Sequence, residues 1–372
     1  MCSECSRTAP EARPHNSIDR RDFLRLSGTG LAGAVLLGGA GGRVLAQAGT
    51  SLKGEFASAA TEYSVPKELL MAMGYVNTLW EMPPPEATDY QPGDLHGRGT
   101  YGIMQLVRTP WEDTLGKAAD LTGLSEERLK SERAANVGGG AAVLADIAGE
   151  EKPPELDGWY EAVAKYGGND LYAQEVFGVL EDGASATIST GETLNLAPQE
   201  VDAPQILTSR SGGGADYGRA DWRPAYRGNY TNRNRGVTTV DSIIIHIAQG
   251  SYSGTIGWFQ HRRANVSAHY VVGRTGRVAQ CVRNEDVAWH AGNWKYNRRS
   301  IGIEHAGYAG RRWTDSTYRS SARLSAYLSR RFNIPVDRQH IRGHGSVPGV
   351  ATRCPGRRFN WERYLRLVRH YK

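Results

Sequence analysis

At 372 residues the chain is long enough for two globular domains and a leader. Its net charge of +6 is unevenly placed: residues 205–372 carry 29 Lys+Arg against 9 Asp+Glu, whereas residues 47–204 carry 10 against 26. The basic half suits a polyanion, but no nucleic-acid-binding motif is present and few lysines stand among the arginines. The charge split therefore points to another polyanion, or to docking of the acidic half on the basic one. No repeat of solenoid length is present.

The first element, residues 1–48, reads as a leader. Arg20-Arg21-Asp22-Phe23-Leu24-Arg25 precedes a Gly- and Ala-rich apolar run from Leu26 to Gly42, followed by Val44-Leu45-Ala46. Paired arginines, a short apolar stretch and small residues at its end make a twin-arginine export signal, with cleavage expected near Ala46 or Ala48. The run is too short and glycine-rich for a membrane span. Cys2 and Cys5 would leave with it, and their C-x-x-C spacing has no second pair to complete a metal site. The expected location is therefore secreted or in the cell envelope, with no stable membrane insertion after cleavage.

Residues 51–183 read as a mainly α-helical domain. Phe56, Ala59, Ala60 and Tyr63 recur at helical spacing, and Pro66 opens a second helix, PKELLMAMGYVNTLWE. The pieces VPKELLMAMGYV (65–76), YGIMQL (101–106), Asn136 with the glycines at 138–140, and WYEAVAKYGG (159–168) resemble lysozyme-like lytic transglycosylase domains. That resemblance implies a general-acid glutamate followed by serine at the end of the first long helix, where this chain has Asn77-Thr78. An amide cannot protonate a glycosidic oxygen, so the domain is expected to bind glycan without cutting it. Glu81, one turn on, is the alternative acid.

Residues 184–236 read as a linker, with a flexible Ser209–Gly214 stretch and a later part, anchored by Trp222 and tyrosines, wrapped on the following domain. Residues 237–372 read as an α/β domain with a central mixed β-sheet flanked by helices. Strands are expected near 242–248, 269–273, 277–282 and 300–306, with Gly273 to Gly276 turning a hairpin. Helices are expected near 254–263 and 315–332, the latter with a stripe of Leu324, Tyr327, Leu328 and Phe332 before Pro335.

Three zinc-ligand residue types stand where such a fold can join them: His246 after an apolar strand, His344 in HIRGHG and Cys354 in ATRCPG. Three protein ligands leave a fourth position of tetrahedral zinc free, as in a catalytic site. Taken alone, His246 is equally a core histidine, and Cys354 has Cys281 as a possible disulfide partner. His340 is set aside, because Ile341 and the glycines around it break any helical H-E-x-x-H pair. Alternation in SIGIEHAG puts Ile301, Ile303 and His305 on one face and Gly302 and Glu304 on the other, toward the metal.

Five blocks in order, SIIIHIA (242–248), SAHYVVGRTGRVAQCV (267–282), AWHAGN (288–293), SIGIEHAG (300–307) and RGHG with TRCPG (342–356), resemble the zinc-dependent N-acetylmuramoyl-L-alanine amidases, a superfamily that includes the peptidoglycan recognition proteins. The resemblance implies hydrolysis of the amide between N-acetylmuramic acid and L-alanine in peptidoglycan. It also implies one zinc ion on His246, His344 and Cys354, with Glu304 as acid/base. Thr352 falls where relatives carry lysine or threonine that polarises or orients the scissile carbonyl. A tyrosine found in many members is replaced by Ala268, so its role does not carry over. Trp289, His290 and Asn293, with His269 at the floor of the site, form the expected substrate-contacting set; a structural aromatic corner is the alternative. The expected partner is peptidoglycan, through both glycan strand and stem peptide, and the expected state is a monomer. A non-catalytic peptidoglycan receptor and a bifunctional amidase with glycan cleavage are the rival readings.

Overall fold

A computed structural model describes residues 50–91, 93–201, 214–232 and 240–372. The leader and most of the Ser209–Gly214 stretch lie outside the described residues. No helix among them is long and apolar enough to cross a membrane.

The helical region opens with α1 (Leu52–Tyr63), started by Ser51, whose hydroxyl accepts the Gly54 N–H at 3.2 Å. Pro66 precedes α2 (Lys67–Thr78), its fixed φ suiting the first turn. A short hairpin, β1 (Thr100–Tyr101) with β2 (Leu106–Val107), leads to α3 (Thr114–Thr122), α4 (Glu126–Ser131), α5 (Arg133–Ala148), α6 (Tyr160–Tyr166) and α7 (Asp170–Asp182). Leu52, Phe56, Leu69, Leu70, Trp80, Val143 and Phe177 form its core.

Residues 184–196, read as linker, instead make a hairpin of β3 (Ala184–Thr187) and β4 (Thr193–Leu196). The reason is apolar burial: Ile188, Leu194 and Leu196 complete the helical core. Farther on, β5 (Asp221–Trp222) and β6 (Tyr230–Thr231) pair with strands of the second domain. The guanidinium of Arg283 lies 3.9 Å over the Trp222 ring, so the wrapping segment is anchored where the sequence put it.

The second domain contains β7 (Ser242–Ile245), α8 (Tyr252–Gln260), β8 (Tyr270–Val272), β9 (Val278–Gln280), β10 (Val287–Ala288), α9 (Trp294–Arg299), β11 (Ser300–His305), α10 (Asp315–Arg331), β12 (Ile341–Gly343) and α11 (Trp361–Tyr371). Its mixed sheet runs β12-β7-β11-β8-β9-β5. Strands β12, β7, β11 and β8 are parallel, and β8 to β9 is the antiparallel hairpin turned by Gly273 and Gly276. Buried on both faces, β7 is a continuous apolar run of Ile243, Ile244 and Ile245 rather than an alternating one.

Helix α10 begins at Thr314, whose hydroxyl accepts the Thr317 N–H, and ends on Arg330 and Arg331, charges that suit the helix dipole. It packs Ala322, Leu324 and Leu328 with Ile301 and Ile303 of β11. The opposite face of β11 points at the site. An added Cβ on Gly302 would come within 2.4 Å of the His290 ring. Gly302→Ala should therefore destabilise the fold by about 1–3 kcal/mol through overpacking, measurable by chemical denaturation.

Candidate metal centre and active site

Register builds the centre. Parallel pairing sets Ile245 beside both Ile303 and Gly343. The next residues, His246, Glu304 and His344, therefore share one level at the carboxyl ends of three neighbouring strands, the usual place for a ligand in an open α/β sheet. The His246 and His344 ring centroids are 4.5 Å apart, and His246 Nδ1 is 3.8 Å from Glu304 Oε1. Cys354 arrives from the loop after β12. Its carbonyl oxygen accepts the Gly345 N–H at 2.8 Å, and its Sγ accepts the Ile247 N–H at 3.2 Å.

Ligand atoms of His246, His344 and Cys354 lie within 4.8 Å of one another. Nδ1 of His246 and both ring nitrogens of His344 are buried with no hydrogen-bond partner in the protein. Two imidazoles and a thiol with unspent donor atoms at this spacing fit a tetrahedral metal with one open position. Burial pulls the His246 imidazole well below its ordinary range and His344 down to about 4, so both rings are neutral and able to bind a cation. Burial also pushes the Cys354 thiol up, so it becomes a thiolate only against a positive charge. Cys281 and Cys354 are both free thiols, so the alternative disulfide is not formed.

A proton chain fixes His246. Its Nε2 is 3.1 Å from His290 Nδ1, His290 Nε2 is 3.3 Å from Ser300 Oγ, and the Ser300 hydroxyl donates to Tyr296 O at 2.6 Å. One assignment satisfies all three bonds: His246 donates through Nε2 and keeps Nδ1 for a metal. His305 holds the backbone of the same ligand, its Nδ1 lying 2.8 Å from His246 O and its Nε2 2.7 Å from Ser321 Oγ.

Glu304 is 1% exposed and neither carboxyl oxygen has a partner. Burial raises its pKa to about 8, with the Arg98 charge opposing. A carboxyl poised near neutrality beside a metal-ligand cluster can take and return a proton.

The other predicted residues occupy different places. His290 is buried behind His246 rather than open to substrate. His269 is buried too, its Nδ1 accepting the Gly302 N–H at 3.0 Å, which ties β8 to β11. Trp289 donates its indole N–H to Thr231 Oγ1 at 3.0 Å. Asn293 caps α9 through its carbonyl oxygen and donates its amide to Pro348 O at 3.0 Å. These bonds give the AWHAGN loop a bracing role. Thr352 Oγ1 accepts the Cys354 N–H at 3.2 Å and so shapes the ligand turn. His290→Phe removes the bond to His246 Nε2. Metal affinity should fall about 10–100-fold in chelator competition.

Two residues near the site come from the helical region and carried no local sequence signal. His96 Nε2 is 2.8 Å from Ile247 O, and Arg98 Nη2 donates to Ala248 O at 3.2 Å and Gln249 O at 2.5 Å. Both brace the segment just after His246. Only the tertiary contact reveals them.

Residues 236–357 match the family model described as N-acetylmuramoyl-L-alanine amidase. The chain is 35% identical over 173 residues to N-acetylmuramoyl-L-alanine amidase A of Achromobacter lyticus, covering 95% of that protein and 41% of this one. The chain belongs to the N-acetylmuramoyl-L-alanine amidase family. It is also 36% identical over 110 residues to the 1,6-anhydro-N-acetylmuramyl-L-alanine amidase AmpD of Haemophilus influenzae, covering 59% of that protein and 28% of this amidase-family chain. Among solved structures, a selenomethionine derivative of AmpD aligns over 40% of this chain and 94% of its own, at 26% identity and a TM-score of 0.33.

Proposed function

We propose that this chain is a zinc-dependent peptidoglycan amidase that hydrolyses the amide between N-acetylmuramic acid and L-alanine. The observation that carries this reading is the His246, His344 and Cys354 cluster with the buried Glu304 carboxyl 3.8 Å from His246 Nδ1. A zinc ion held by those three ligands would supply Lewis acidity for the amide carbonyl and a more acidic water.

The protein's own groups do the rest. Glu304 accepts a proton as the nucleophile attacks and returns it to the alanine nitrogen as the C–N bond breaks. The His290 and Ser300 chain keeps His246 in one tautomer and orientation. His305 and His96 hold the carbonyls of His246 itself and of Ile247 just after it. Thr352 keeps a hydroxyl proton available to orient the substrate carbonyl, while its oxygen fixes the Cys354 turn.

The helical region is read as a lysozyme-like, glycan-holding domain without glycosidase activity. Asn77 supports this: its amide N–H donates to Ile103 O at 3.2 Å in a buried site. Glu81 is engaged by Ser189 N and Oγ at 2.8 and 2.7 Å and paired with Arg311, which withholds it from acid catalysis. The receptor reading would be favoured by loss of a ligand, and all three are kept. Export by the twin-arginine route remains part of the proposal, resting on the Arg20-Arg21 leader.

Mass spectrometry of purified peptidoglycan after digestion tests the bond assignment. Stem peptides beginning with a free L-alanine, detached from glycan strands that are themselves uncut, are expected. New reducing ends without free stem peptides would reassign the enzyme to glycan cleavage.

A further inference from the structure

The chain that carries His246 outruns one of its neighbours. Pairing of β7 with β12 ends at Ile245 and Gly343. Pairing with β11 continues: the N–H groups of His246, Ala248 and Gly250 donate to the carbonyls of Ile303, His305 and Gly307. Past the end of β12, the Ile247 N–H turns to Cys354 Sγ at 3.2 Å. Buried carbonyls left here without a strand need donors from elsewhere. A loop of the helical region supplies them. His96 Nε2 donates to Ile247 O at 2.8 Å, and Arg98 Nη2 donates to Ala248 O at 3.2 Å and to Gln249 O at 2.5 Å. Ile247 thus holds the sulfur of the third ligand through its N–H and a helical-region side chain through its carbonyl.

The loop is itself held on both sides. The Asp94 carboxylate accepts the N–H groups of His96 and Gly97 at 2.6 and 3.0 Å. Gly99 N–H donates to Thr88 O at 2.7 Å within the helical region, while Gly93 N–H donates to Ala264 O at 3.3 Å in the amidase domain. Leu95 is buried with Ala264, Val266 and Ala268. The receiving chain is shaped to match. Gln249 takes a positive φ of 52°, a strained choice for a side-chain-bearing residue, and an added Cβ on Gly250 would collide with the Arg98 guanidinium.

Arg98 is a costly way to make these bonds. It is 6% exposed and has no ion pair among the described residues. A neutral donor would hold the same carbonyls without burying a charge. The charge that Arg98 brings lies within the field of the Glu304 carboxyl. A cation kept there against the interest of stability points to the reaction rather than to the fold.

We propose that Arg98 is a positioning residue of the amidase, holding residues 248–249 and through them the His246 and Cys354 ligands, so that the helical region is an integral part of the active site. The role in catalysis rests on the amidase reading above; the brace on the strand does not. The dependence is specific to this loop. The Arg311 pair with Glu81 also joins the two parts of the chain, but it touches none of residues 246–250.

The test uses the purified full chain and a soluble muropeptide with its stem peptide attached. Arg98→Met keeps the reach of the side chain and removes its donors and charge. Turnover per bound zinc should fall about 10–100-fold with KM changed less than about twofold, because misplacement of the reacting groups slows the chemistry rather than substrate capture. Arg98→Lys, which restores a charge and donors, should recover part of kcat. Arg311→Gln should match the parent. In the metal-free proteins, hydrogen exchange should speed up at Ile247 to Gly250 in Arg98→Met and stay unchanged at Ser242 to Ile245. His96→Leu, which removes the donor to Ile247 O, is read in the same way if Arg98→Met fails to fold. Parental kcat and parental exchange in Arg98→Met would overturn the proposal, as would an equal loss of kcat in Arg311→Gln. A parent chain that releases no L-alanine termini would sink the amidase reading instead, and the exchange arm would still decide the brace.

Discussion

Glu304→Gln should reduce peptidoglycan hydrolysis by about 10²–10⁴-fold while leaving metal content unchanged. The substitution keeps the shape of the side chain and removes only its ability to carry a proton between nucleophile and leaving nitrogen. The same change should alter stability with pH in the metal-free protein. Burial raises the Glu304 pKa from 4.5 to about 8, so the folded state binds this proton more tightly than the unfolded chain does. The stabilisation that follows is complete below about pH 4.5 and is lost as pH rises through 8. A neutral glutamine has nothing to lose over that interval. The metal-free variant should thus match the parent in acid and melt at a higher temperature near pH 9. Parallel melting curves across the whole range would contradict the burial argument, and full activity in the variant would remove Glu304 from the chemistry.

Cys354→Ala should weaken zinc binding by roughly 10²–10³-fold, a one-ligand share of the ~10–16 kcal/mol that zinc sites contribute. Activity should disappear with the metal. Cys354→Asp separates ligation from packing, because a carboxylate is also a zinc ligand and a methyl group is not. Partial metal binding and activity in the aspartate variant, with none in alanine, is the expected pattern. Equal loss in both would instead point to the Cys354 turn, where the carbonyl bond to Gly345 and the Ile247 N–H contact hold the loop.

The centre was legible because its residues are carried by strong local patterns. The Ile243 to Ile245 run could only be a buried strand, and alternation in 300–305 assigned Gly302 and Glu304 to one face; the near contact of Gly302 with the His290 ring confirms that side. The third parallel strand, β12, was not read, since Ile341-Arg342-Gly343 is short and flanked by glycine and turn signals. Its register with β7 nevertheless fixes where His344 stands. The hairpin at 184–196 was hidden by its polar alternate residues, although Leu194 and Leu196 fall at period two. His290 and His269 sit in blocks that resemble substrate loops, yet their rings are consumed by His246 and by the Gly302 N–H. His96 and Arg98 reach the site across more than a hundred residues of chain. Such contacts have no periodicity and no spacing, so only the folded structure brings them into view.

The most direct test of the account is release of free L-alanine amino termini from purified peptidoglycan, measured with the parent chain, with chelator followed by zinc, and with Cys354→Ala. The account predicts release that stops with chelator, returns with zinc and is absent from the variant at the zinc concentration that just saturates the parent. Release that persists through chelation and in Cys354→Ala would contradict a metal-dependent amidase built on His246, His344 and Cys354.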